Sequence, residues 1–305
     1  MPSGPQVGRL DHVRGTDPPQ FTARTPRVVA ARRLHRRRDR DSTRRFLAEG
    51  PQAVREALDR PGVVRELFGT PAALDRYADL AEIARRAGLP VSPLTDDGLA
   101  ALTETVAPQG LVAVCDQFDQ PLHRALRRSP RLVTVLAEIR DPGNAGTVLR
   151  TADAAGAGAV VFAGDAVDPY NGKCVRASAG SLFHVDVVRA DDPAAVVTSL
   201  RHAGLTVLAA SGYGETDLDD LADDGGLSRP TAWLFGSEAH GLPAELAAAA
   251  DARVRVPLHG RAESLNLAAA AAVCLYASAR ALRAVSARSE PGLRAPQSRS
   301  EGDQE

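Results

Sequence analysis

Apolar positions along this chain fall into two rhythms. Over residues 46–116, short apolar runs alternate with amphipathic stretches. Spacing near 3.6 predicts helices over 52–58, 72–87 and 96–102. The first opens on Pro51, whose fixed φ suits a first turn, and the second stops at Gly88 and Pro90. Short β-branched runs predict strands over 63–68, 91–94 and 111–115. From residue 131 the rhythm becomes strand, helix, strand. Strands are predicted over 132–139, 159–162, 183–188, 206–210, 231–235 and 254–256. Helices are predicted over 147–155, 173–178, 193–203, 243–250 and 267–284, with 141–146 as a loop. Regular alternation of this kind makes an α/β fold, a parallel sheet with helices on both faces.

The flanking stretches divide the chain. Residues 1–26 are rich in proline and glycine, have no periodicity and are expected to lack structure. A basic helix over 27–45 is expected to run into a small domain ending near 115. Residues 116–130 read as a linker, 131–285 as the large domain, and 286–305 as an unstructured polar tail. Nothing in the small domain has catalytic spacing, so it is expected to bind rather than react.

Composition sharpens this. With 305 residues, 44% hydrophobic and 25% charged, the chain is long enough for two soluble domains. Its net charge is −1, yet Arg24 to Arg45 holds ten arginines against Asp39 and Asp41, so this block carries +8 and the remainder −9. Such a block fits a phosphate-rich partner; the plain alternative is a solvated arm. Lys173 is the only lysine. Cys115, Cys174 and Cys274 lie far apart, so neither a zinc site nor a disulfide framework is expected, and a reducing cytoplasm fits. The longest strongly apolar run, 267–277, is too short and alanine-rich for a bilayer. No signal-peptide core precedes it.

Candidate chemistry lies in three clusters that each follow a predicted strand, where ligands of a parallel sheet bind. The first runs from Glu138 through Asp141-Pro-Gly-Asn-Ala-Gly146 to Arg150, with Asn144 in the loop. In the second, Phe235-Gly-Ser-Glu-Ala-His-Gly-Leu-Pro243, Gly236 permits close backbone approach and Glu238 supplies a carboxylate. In the third, Glu263, Ser264 and Asn266 sit between a strand and an alanine-rich helix, which Ser264 or Asn266 is able to cap. Each also has a structural reading as a turn, an ion pair or a helix cap; their recurrence favours a ligand site. A dinucleotide fold is disfavoured. Gly156-x-Gly158 precedes a strand, Gly212-x-Gly214 lacks a third glycine, and no P-loop exists. Asp186, Asp191 and Asp192 have no convergent partners for a metal, and His184 and His240 read as structural.

Taken together, the clusters resemble the SpoU (TrmH) family of RNA ribose 2′-O-methyltransferases, in the SPOUT superfamily. The resemblance rests on Asn144-Ala-Gly-Thr-Val-Leu-Arg-Thr-Ala152, Phe235-Gly-Ser-Glu-Ala-His-Gly-Leu242 and Val256-Pro-Leu-His-Gly-Arg-Ala-Glu-Ser-Leu-Asn-Leu267. It extends more weakly to Arg44-Arg-Phe-Leu-Ala-Glu-Gly50 and Pro108-Gln-Gly-Leu-Val-Ala113, which resemble an L30e-like substrate-binding domain. The residues themselves lead us to expect no metal or membrane partner; the resemblance implies a trefoil-knotted parallel sheet, an S-adenosylmethionine cofactor and a homodimer. It implies cofactor contacts from Phe235, Gly236, Leu258, Leu265 and Leu267. It also implies a functional polar set of Asn144, Arg150, Glu238, Ser264 and Asn266. RNA is the expected substrate, ribosomal RNA first. Transfer RNA, an antibiotic-resistance target, or a non-catalytic RNA-binding or assembly role are the alternatives.

Overall fold

The computed structural model describes residues 19–289. The expectations for residues 1–18 and 290–305 lie outside that range.

The amino-terminal domain is a four-stranded sheet of β1 (Arg45–Glu49), β2 (Val64–Gly69), β3 (Val91–Pro93) and β4 (Leu111–Asp116). Its order is β1-β4-β2-β3, with β4 antiparallel to β1 and β2, and β3 parallel to β2. The sequence pattern did not reveal β1. Phe46, Leu47 and Ala48 are all buried because both faces of β1 are covered, so no polar alternation marks it. The helix expected over 72–87 is two, Pro71–Arg76 and Ala78–Arg86, broken at Tyr77.

The arginine-rich arm is folded onto this domain. It forms helices Pro26–Arg32 and Arg37–Thr43, joined by a 3₁₀ turn and broken at extended Arg36. Val28, Ala31 and Leu34 pack against Phe68, Leu94 and Val112. Residues just upstream, expected to lack structure, also join the sheet: Phe21 bridges Leu94, and its N–H donates to the Pro93 carbonyl.

The larger domain has seven parallel strands: β5 (Leu132–Ala137), β6 (Ala159–Ala163), β7 (Asp186–Ala190), β8 (Thr206–Ala210), β9 (Thr216–Asp217), β10 (Thr231–Phe235) and β11 (Ala252–Arg255). The order is β7-β6-β5-β10-β8-β11-β9. Short β9 was not anticipated. The strand expected at 183–188 begins at Asp186, since Ser181–Phe183 form a 3₁₀ turn. Alternate residues of β5 feed two cores. Leu132 and Leu136 face the Pro142–Ala155 and Leu267–Ser289 helices, while Val133 and Val135 face Pro193–His202. Trp233, fully buried on β10, donates its indole N–H to Ser278 Oγ at 2.9 Å, which pins the carboxyl-terminal helix beneath the sheet.

That helix is longer than the apolar run suggests. Its Leu267–Val285 segment is long and apolar enough to cross a bilayer by length and composition. Ala271, Cys274, Leu275 and Ser278 are nevertheless buried against the sheet and the Pro142–Ala155 helix.

Both domains share one apolar core. Phe46, Phe118, Tyr170 and Phe183 meet at the junction, with Phe46 and Tyr170 centroids 4.7 Å apart. Phe118 belongs to the stretch expected as a linker, so that stretch is part of the junction. Arg40 is buried there and its Nε donates to Asp168 at 2.7 Å. Its second donor group is taken by the Leu34 and His35 carbonyls, so the buried charge is satisfied.

Candidate functional site

From β5, strands β6 and β7 run to one side and β10, β8 and β11 lie on the other. The polarity of the sheet therefore places a crevice at the carboxyl ends near β5 and β10. The three sequence clusters arrive there.

After β5 the chain turns through Glu138, whose φ of 56° is left-handed. The Asp141 carboxylate then accepts from the Asn144 N–H at 2.7 Å and caps a helix that opens on Pro142. The helix thus starts five residues before the predicted position, and Asn144 sits in its first turn rather than in a loop. Asp141 also pairs with Lys173 Nζ at 2.9 Å. Lys173 and the Asn144 N–H together hold the Asp141 carboxyl below the usual carboxylate range.

After β10, Ser237 and Gly241 exchange backbone hydrogen bonds of 3.0 and 2.8 Å, closing a tight loop. A Cβ on Gly236 would lie 2.2 Å from the Gly241 carbonyl carbon, so only glycine fits there. Glu238 projects from this loop. After β11 the chain reaches Asn266, whose Oδ1 accepts from the Ala268 N–H at 2.9 Å and caps the last helix.

That cap fixes the polarity of everything beyond it. A backbone N–H only donates, so Asn266 must present its amide nitrogen to Asn144, and it donates to Asn144 Oδ1 at 3.3 Å. Asn144 must then turn its own amide nitrogen outward, where it donates to Glu238 Oε1 at 2.9 Å. One directional chain, Asn266 to Asn144 to Glu238, therefore joins the three clusters.

A cavity of about 370 Å³ adjoins this chain. Phe235, Gly236, Leu258, Leu265 and Leu267 line it, as do Glu238, Ser264 and Asn266. Asn144 reaches it through its two side-chain bonds. Arg150 is not in the lining. It lies about two turns along the Pro142–Ala155 helix, exposed, and no carboxylate among the described residues pairs with it.

Sequence reasoning missed Ser211 and Gly212, which follow β8 and line the same cavity. The Gly212-x-Gly214 pair was the available signal. Gly214 lets this turn pack on β11, where a Cβ would meet the Arg253 carbonyl oxygen at 2.6 Å. His184 lies elsewhere, between Asp153 and Glu56. The three cysteines are buried, which raises their thiol pKa values and leaves no thiolate to act as nucleophile.

Comparison with known proteins identifies the family and the fold. Residues 131–276 match the model of the SpoU rRNA methylase family, and residues 25–113 match an MRM3-like substrate-binding domain. The chain is 35% identical over 255 residues to the Bacillus subtilis 23S rRNA (guanosine(2553)-2′-O)-methyltransferase RlmP, covering 84% of this chain and 96% of that protein. It is similar to the AdoMet-bound rRNA methyltransferase of Sinorhizobium meliloti, with TM-score 0.75 and 34% identity over 87% of this chain and 98% of that one. It is also similar to the AdoMet complex of the SpoU methyltransferase AviRb of Streptomyces viridochromogenes, with TM-score 0.75 and 30% identity over 86% of this chain and 99% of that one. Family model, relatives and structural neighbours thus converge: this chain belongs to the SpoU rRNA methylase family and has the SPOUT fold, preceded by a substrate-binding domain.

Proposed function

We infer that the chain is an S-adenosylmethionine-dependent RNA ribose 2′-O-methyltransferase acting on ribosomal RNA. The observation that carries this is the Asn266–Asn144–Glu238 chain beside a cavity lined by Gly212, Gly236 and Gly241. The cavity suits the cofactor. Its volume is that of a small-molecule site, and it combines the apolar walls of Leu258, Leu265 and Leu267 with the side-chain-free backbone of Gly212 and Gly236. When bound there, S-adenosylmethionine supplies an electrophilic methyl group.

The residues of the chain have separable roles in this reading. Asn144 occupies Glu238 Oε1, which leaves Oε2 to accept from a ribose hydroxyl. Ser264 supports the loop that carries Asn266. Arg150 binds a phosphate beside the target ribose and stabilises negative charge developing on its 2′-oxygen. A guanidinium holds its proton far above neutral pH, so Arg150 acts by charge rather than as a base. The 2′-hydroxyl itself makes RNA, not DNA, the substrate.

The same reading makes the protein a cytoplasmic homodimer. Val273 and Tyr276, a turn apart on the last helix, are 42% and 51% exposed, and Leu258 and Leu265 at the cavity lip are also exposed. That apolar surface is the proposed dimer face.

The test is methyl transfer from labelled S-adenosylmethionine to ribosomal RNA from cells lacking the gene, with ribose methylation mapped in cells with and without it. A single 2′-O-methyl group that depends on the gene is expected. No incorporation, or methylation of a base, would overturn the reading.

A further inference from the structure

The cofactor cavity occupies only one half of the sheet's carboxyl edge, at the ends of β8, β10 and β11. A second groove of about 270 Å³ occupies the other half. One of its walls is the docked arm, with Arg37 and Arg40. Its other wall comes from loops after β5 and β6, with Arg140, Asp165, Asp168 and Asn171. Arg37 also overhangs a smaller hollow at the ends of β6 and β7. Asn144, in the first turn of the helix that follows Arg140, is bonded to Glu238 and Asn266 of the cofactor cavity, so it links the groove's edge to that cavity.

The cations of this groove are of two kinds. Arg40 is committed: it is buried, bound to Asp168 and to two carbonyls, and it fixes the arm in place. Arg37 and Arg140 are not committed. Arg37 lies 3.6 Å from Asp41 and Arg140 3.3 Å from Asp165, and both guanidiniums are at least half exposed. Loose, solvated pairs of this sort contribute little, and a phosphate readily replaces the carboxylate. Neighbouring Arg33, Arg36 and Arg38 are exposed and have no carboxylate partner among the described residues. Like charges gathered this closely repel, and an anion relieves the repulsion.

We propose that the RNA strand carrying the target ribose lies in this groove, with Arg37 from the arm and Arg140 from the catalytic domain holding its phosphates on the approach to Asn144. The proposal rests on the RNA methyltransferase reading and adds the path of the substrate. Because the grip comes from both domains, it depends on the arm being docked rather than tethered. Asp165, three-quarters exposed beside Arg140, opposes the phosphate and limits affinity.

The experiment uses the full chain with Arg37→Ala, Arg140→Ala, both together, and Asp165→Asn. Binding of a 20-nucleotide oligouridylate is measured across a salt series, alongside S-adenosylmethionine titration and methylation of ribosomal RNA. Each arginine loss is expected to weaken RNA binding about tenfold at low salt and to reduce the log–log salt slope by about 0.7, leaving cofactor affinity unchanged. Asp165→Asn is expected to tighten RNA binding severalfold, whereas a merely structural Arg140–Asp165 pair would give a loss. An unchanged slope in the double variant, or weaker RNA binding by Asp165→Asn, overturns the proposal. If the unaltered protein methylates no RNA, the parent reading fails instead, and the two failures are told apart.

Discussion

Asn144 donates to Glu238 across 94 residues of chain, at 2.9 Å, in an orientation dictated from the helix cap at Asn266. This makes the amide of Asn144 irreplaceable by a carboxylate. In Asn144→Asp, oxygen faces oxygen at Glu238, and the negative charges repel. We expect kcat/KM for RNA to fall at least 100-fold, the scale of losing one organised donor. Glu238→Gln retains an acceptor oxygen and should lose less. Single-turnover methylation of the two variants checks the ranking, and a smaller loss in Asn144→Asp would contradict it.

Arg150 offers the opposite profile. Its guanidinium is exposed and has no carboxylate partner among the described residues, so removing it costs the fold little. Arg150→Ala should therefore leave thermal stability within about 0.5 kcal/mol of the parent and leave cofactor affinity intact. Methyl transfer should fall by about three orders of magnitude, as expected for a charge aimed at the transition state. Arg150→Lys should recover part of that, having the charge without the planar fork. Activity retained in the alanine variant would remove Arg150 from the mechanism.

Gly236 tests the cavity itself. A methyl group there meets the Gly241 backbone at 2.2 Å, and backbone cannot swing aside as a side chain does. Gly236→Ala should displace the Ser237–Gly241 loop, weaken S-adenosylmethionine binding at least tenfold, and cost about 1–3 kcal/mol of stability. Calorimetric titration and urea denaturation measure the two effects. Wild-type cofactor affinity would mean that the loop does not shape the site.

Much of this was legible in the sequence because the relevant signals are local. Gly236 and Glu238 directly follow a strand and Asn266 directly precedes a helix, and both kinds of boundary are visible in hydrophobic pattern. β1 was not legible, because a strand buried on both faces shows no alternation. The early start of the Asn144 helix was hidden because Pro142 and Gly143 look like a turn until the Asp141 side chain is seen to cap them. Arg40 counted only as one of ten arginines in a basic block, since its partner Asp168 is 128 residues away. Sequence spacing carries no information about such a meeting.

The Arg40–Asp168 pair has a consequence of its own. Both side chains are almost wholly buried, so removing one partner strands the other's charge in the domain junction. Arg40→Met alone should cost about 3–5 kcal/mol. Arg40→Met combined with Asp168→Leu should recover much of that loss, because neither charge then remains to be desolvated. Urea unfolding of the single and double variants gives the coupling. Two single losses that simply add would show that the pair is not a unit.

A second link between the domains responds to pH. His184 lies between Glu56 of the amino-terminal domain, at 3.0 Å, and Asp153 of the Pro142–Ala155 helix, at 2.8 Å. Burial alone lowers its pKa, but hydrogen bonds to the two carboxylates outweigh burial, and the net shift is upward. A raised folded value means that the folded state binds the proton more tightly than the unfolded state does. The contribution is therefore complete below the unfolded histidine value, about 6.5, and is lost as pH climbs through the higher folded value. The imidazole is 43% exposed, so solvent screening keeps the effect below about 1 kcal/mol. Stability of the native protein should thus decline relative to His184→Gln between pH 6 and pH 8.5, because glutamine cannot gain charge. Paired denaturation curves at the two pH values measure this difference. A gap between the two proteins that stays constant with pH would show that His184 packs between the domains without acting as a charged latch.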